Sequence, residues 1–172
     1  MSEQNMGTGD VLGAAGATLT VTYRDKKHPV SRPTARVLDR VEMLVAQNQN
    51  AAANDFAGVL PPKDVAAMKA DLMTKLRARE HVTGGSLWAS EMEADGGMRG
   101  LQMVFWSCLE EAREKASDKA GLPPPIKIEE IPAVLAESPD AEMVARLLLP
   151  DFFQAAQRRR GVPAAKITTP QA

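Results

Sequence analysis

The chain has 172 residues, with 21 Lys and Arg against 22 Asp and Glu and a net charge of −1. That length suits one domain, and the near-neutral balance excludes a globally basic nucleic-acid binder and a polyanionic tail protein. Hydrophobic residues make up 44%, but 27 residues are Ala and 9 are Met, so the expected core is thin, helical and rich in small and flexible side chains.

Residues 1–17 are Gly, Ala and small polar residues without periodicity, and read as a flexible arm. Leu19, Val21 and Tyr23 alternate with Thr18, Thr20 and Thr22, which predicts a strand. Arg24 to Lys27 reads as a polar turn. His28-Pro29-Val30 returns as a second strand, placed at an edge because Pro29 has no N–H for a ladder. Pro33-Thr34 opens a first helix, with Val37, Leu38, Val41, Leu44 and Val45 on one stripe. It is expected to end at Gln47–Asn50, leaving 48–58 as a loop. Pro61-Pro62 starts a second helix, with Val65, Met68, Leu72 and Leu76 on one face.

The pairs Gly84-Gly85 and Gly96-Gly97 bracket a short helix over 86–92. The third long helix is predicted over 98–119, with Leu101, Val104, Phe105, Cys108, Leu109 and Ala112 as its apolar stripe, stopped by Gly121-Leu122-Pro123-Pro124-Pro125. Ile128, Ile131 and Leu135 predict one more short helix with Pro132 in its first turn. Ser138-Pro139-Asp140 reads as a cap and an N1 proline. The helix that follows carries Leu147 and Leu148 into the core, and Pro150 is expected to end or kink it. Residues 161–172 read as a flexible tail. The fold expected is mainly α: a four- to five-helix domain over 18–160 with a small N-terminal β-hairpin.

Little in the chain points to chemistry. His28 and His81 are far apart, and neither has a ligand partner at i+3 or i+4, so no metal site is expected. Cys108, the single cysteine, falls on an apolar stripe and reads as a small buried hydrophobe. One cysteine makes no internal disulfide, which fits a reducing compartment. Glu91, Glu93 and Asp95 read as a solvated loop, and the Gly pairs lack the pattern of a phosphate-binding loop. No catalytic residue, cofactor or enzymatic activity is expected. No apolar run reaches the ~18 residues of a membrane span. Met1-Ser2-Glu3-Gln4 has neither the basic nor the apolar region of a signal peptide.

The candidate protein-binding residues are Trp88, Trp106 and the run Arg158-Arg159-Arg160. Trp is among the residues that dominate interface energetics, and Trp106 is rotated off the core stripe of its helix. It is either second-face core or an exposed anchor. Residues 98–157 carry a net −4 and residues 158–172 a net +4. That predicts attraction between tail and body, within a molecule or between copies of a homo-oligomer.

The order of elements resembles small tail assembly chaperones and related accessory morphogenesis proteins of tailed phages and prophages. A hairpin, Leu19–Tyr23 and His28–Val30, runs into a helix over Ala35–Leu44. Later Leu101–Leu109 precedes Ile126–Ile131 and a terminal helix. The stretch 46–97 is longer than that family's pattern. The resemblance implies a non-enzymatic assembly factor in the host cytoplasm that binds a long, helical tape-measure protein and leaves before the tail is finished. The alternative is a structural component of the virion held by neighbouring subunits. Nucleic acid and membrane are not among the expected partners.

Overall fold

The computed structural model describes residues 19–161. The expected arm, and the expected tail apart from Gly161, lie outside the described residues. The chain is mainly α, with an N-terminal two-stranded antiparallel hairpin, β1 (Leu19–Tyr23) and β2 (Lys26–Val30). The turn is tighter than the sequence suggests. Only Arg24 and Asp25 lie outside the strands, both with left-handed φ (48° and 59°), the geometry that matches strand twist in a two-residue hairpin. Lys26 and Lys27 therefore belong to β2.

The register pairs Leu19 with Val30, Val21 with His28 and Tyr23 with Lys26. The closing pair of such a turn exchanges both hydrogen bonds. Alternation then puts Thr20 opposite Pro29 at a site that needs no amide from Pro29. Val21, Tyr23, His28 and Val30 face inward and are buried.

Helix α1 (Ala35–Asp55) begins at Thr34, whose Oγ1 accepts from the Val37 amide at 3.4 Å. It runs well past Asn50, so most of the expected 48–58 loop is helix. The Ala-rich run favours helix, Ala53 is buried, and Asn48 and Gln49 are held by side-chain bonds to Glu91. Helix α2 (Pro62–Arg77) and α3 (Ser86–Glu93) follow. Gly85 before α3 is required, since a Cβ there would lie 2.2 Å from the Glu80 carbonyl oxygen.

Helix α4 (Met98–Lys115) is the central element, packing against α1, α3, α6 and β2. Gly100 lets it approach α3, because a Cβ there would meet the Met92 carbonyl at 2.6 Å. The helix stops at Lys115 rather than near 119. Ala116 is extended, and Asp118 Oδ1 turns the chain by accepting from the amides of Ala120 and Gly121. Helices α5 (Ile131–Glu137) and α6 (Pro139–Arg159) complete the fold.

Helix α6 continues through Pro150 instead of ending there. Pro150 deprives the Arg146 carbonyl of its partner, but both residues are on the exposed face of the helix. The inner face of α6 is Ala141, Val144, Ala145, Leu148, Phe152 and Ala156. Leu147 falls outside that stripe and is 43% exposed, contrary to the core role expected for it. One apolar cluster joins the hairpin to all six α-helices, with Phe105 and Phe152 fully buried near its centre.

Candidate functional site

Trp88 is a core residue and not a surface anchor. It is 7% exposed, stacked on Phe152 at 6.4 Å between ring centroids and met edge-on by Phe153 at 6.2 Å. Trp106 is partly buried against the core, and its Nε1 donates to the Ile126 carbonyl at 3.0 Å. That bond fastens the proline-rich stretch after α4 onto the helix. Arg113 Nη1 does the same through the Pro123 carbonyl at 2.5 Å.

The three arginines at the end of α6 separate. Arg158 is exposed and bonds Gln154 within its own helix at 3.0 Å. Arg159 pairs with Asp39 at 2.6 Å and lies 3.6 Å from Glu42, closing α6 onto α1. The Arg160 side chain lies over Gly84, so close that a Cβ on Gly84 would be 2.7 Å from Nη1. Of the basic run, Arg159 is the residue that meets acids within the molecule, Asp39 and Glu42 of α1.

Several polar side chains are more central than the sequence implies. Glu91, expected in a solvated loop, is buried and accepts from Gln49 at 2.6 Å, Asn48 at 3.2 Å and Arg99 at 3.3 Å. Glu42 is buried on α1 and accepts from Thr83. Glu111 is buried on α4, with Lys115 at 2.8 Å and the Thr34 hydroxyl at 3.3 Å on its Oε1. Burial pushes the Glu111 carboxyl up, but the hydrogen bond and charge of Lys115, the Thr34 hydroxyl and the Arg36 charge outweigh it and hold it below the usual range. The missed signal was position: all three acids sit next to apolar residues of a stripe, where a solvated carboxylate is out of place.

Cys108 is fully buried, and burial pushes its thiol up to about 12, with the Glu111 charge adding and Arg40 opposing. His28 is buried at the hairpin. Burial first, then the charges of Arg113 and Lys26, keeps its imidazole below the ordinary value. Among the described residues, no three His, Cys or acidic side chains are grouped to hold a metal ion, and no helix is long and apolar enough to cross a membrane.

Among the described residues, exposed large apolar side chains include Phe56, Val59 and Leu60 after α1 and a group on α6 and the start of α4. Met143 and Leu147 are exposed one turn apart on α6, and Met98 and Phe153 are exposed and line one hollow. Leu101, Leu149 and Phe153, with Gly96 and Gly97, line two adjoining hollows of about 310 and 340 Å³. Compared with known proteins, the chain matches no family model, no curated protein and no solved structure.

Proposed function

We propose that this chain is a non-enzymatic, protein-binding assembly factor of the type it resembles, a phage tail assembly chaperone acting in the host cytoplasm on a long helical client. The observation that carries this reading is the exposed apolar surface of α6 and the start of α4, where Met98 and Phe153 line a shallow hollow and Met143 and Leu147 are exposed one turn apart on α6. Contiguous apolar surface on a water-exposed helix is costly to leave uncovered and marks an interaction site. Methionine side chains repack around varied partners, which suits a protein that must hold and then release its client. A helical client would lay its own apolar stripe along such a surface.

The test is affinity purification of the tagged chain from its source cells, with mass spectrometry of the captured proteins and of finished particles. A long helical protein captured by the wild type, lost with Met143→Lys plus Leu147→Lys, and a chain absent from finished particles are the expected results. Stoichiometric amounts in finished particles would replace this reading with that of a structural subunit.

A further inference from the structure

The apolar surface of α6 has a sign of charge as well as a shape. Met143, Leu147 and Pro150 are exposed and recur at the alternating four- and three-residue spacing of a helix–helix seam. Pro150 also belongs to the wall of the hollow lined by Met98, Leu101, Leu149 and Phe153. The seam and the hollow are therefore one continuous surface. Opposite α6 the wall is Gly96 and Gly97, and a Cβ on Gly96 would have no atom within 4 Å. That rim carries no side chain, which lets a second backbone come close.

Two charged residues line the adjoining hollows, Glu93 and Arg146, and they are not equivalent. Arg146 is already paired: its Nε and Nη2 donate to Glu142 Oε1 at 3.0 and 2.9 Å. Arg99, the cation near the start of α4, lies 3.3 Å from both Glu91 and Asp95. Glu93 is exposed and has no cationic partner among the described residues. The same holds for Asp151, one turn beyond Leu147 on α6. Both cations are thus engaged, while two carboxylates are left over. Such a rim repels phosphate, which disfavours nucleic acid and anionic lipid as occupants and favours a cationic partner. A second copy of this surface is a poor match, because a two-fold pairing would set the same acids against each other.

We propose that this surface receives a cationic amphipathic helix of a partner protein, with apolar side chains one turn apart in the hollows and flanking Lys or Arg side chains on Glu93 and Asp151. The inference rests on the reading of α6 as a client surface and adds the sign of the client's charge. A helix suits the site because the receiving face is itself a helix with an apolar stripe, and ridges of one pack into grooves of the other. From Met143 to Phe153, α6 offers about 15 Å, roughly three turns of a partner helix.

The test is calorimetric titration of the full chain with three helical peptides of about 16 residues, which share one leucine stripe and are flanked by Lys, by Gln or by Glu. The Lys peptide is expected to saturate and the Glu peptide to bind at least about tenfold more weakly, with the Gln peptide between them, since several exposed charge pairs change sign together. The advantage of the Lys peptide should shrink as salt is raised. Glu93→Lys, at an exposed position, is expected to weaken the Lys peptide and strengthen the Glu peptide, each about threefold. Met98→Gln, also exposed, is expected to weaken all three severalfold. Equal binding of the Glu and Lys peptides overturns the proposal and leaves the client surface standing, whereas saturation by none of the three overturns both. Either variant binding the Lys peptide as the wild type does places the peptide elsewhere and overturns the proposal. So do wild-type dimers in sedimentation velocity that Met98→Gln dissociates, which would assign the surface to a second copy.

Discussion

Glu42 accepts two hydrogen bonds from a single residue, Thr83: 2.8 Å from its amide and 2.6 Å from its hydroxyl, both to Oε1. The second oxygen faces Arg159 at 3.6 Å. One carboxylate thus joins the middle of α1, the loop before α3 and the last turn of α6. Thr83 is itself buried, so its amide and hydroxyl need an acceptor inside the fold, and Glu42 supplies it.

Glu42→Ala is expected to destabilise by about 3 kcal/mol, because it leaves two buried donors unpaired. Glu42→Gln keeps an acceptor oxygen and should cost about 1 kcal/mol. Urea unfolding of both variants measures the difference. Equal stability of Glu42→Ala and wild type would mean that water enters the loop and replaces the carboxylate.

Phe105 and Leu147 separate core from surface. Phe105 is fully buried on α4, and Phe105→Ala should cost about 3–5 kcal/mol. Against a total of roughly 5–15 kcal/mol, that loss brings the domain near unfolding. Leu147→Ala removes an exposed side chain and should stay within about 0.5 kcal/mol of wild type. Thermal denaturation monitored at the helical circular dichroism signal tests the pair together.

The helices and the hairpin were legible because their stripes have the right period: Val37, Val41 and Leu44 repeat at helical spacing, and Leu19, Val21 and Tyr23 alternate. Two boundaries were not. Asn48 to Ala53 is locally ambiguous, and it is helical because Glu91, more than 40 residues away, bonds Asn48 and Gln49. Pro150 signals a break, but its helix passes through because that face meets water. Leu147 and Leu148 are adjacent leucines whose fates differ by the 100° between neighbouring helical residues, and hydrophobicity alone does not choose between them. Trp88, expected as a binding residue, lies in the core for a related reason. Its burial depends on Phe152 and Phe153, which only the folded chain brings beside it.

Cys108 should be inert in the folded protein. Its thiol is fully buried and pushed up to about 12, so neither access nor thiolate favours reaction. Ellman's reagent at neutral pH should therefore label the native chain only at the rate of unfolding and label the urea-unfolded chain at once. Rapid labelling under native conditions would place α4 closer to solvent than this packing allows.

The last prediction concerns acid. The ordinary His value is 6.5, and the folded His28 imidazole is held below it by burial and by Arg113 and Lys26. As pH falls through 6.5, the unfolded chain takes up the proton first and the folded chain resists it. Stability is therefore full above that value, declines as pH drops toward the lowered folded value, and levels off below it. Glu111 acts in the same direction in a more acidic window, because its carboxyl is held below the usual 4.5. The charges that act on His28 are Arg113 from α4 and Lys26, and Tyr23, Arg24 and Glu130 line the same hollow as His28, between the hairpin and the stretch after α4. The cations among them disfavour a second charge, and Glu130 is drawn toward Arg24. Comparing urea midpoints of wild type and His28→Gln from about pH 7.5 to about pH 5.5 isolates the effect, since Gln has no proton to gain in that window. The wild type should lose stability relative to His28→Gln as pH falls. Parallel curves across the window would assign the acid sensitivity to another group.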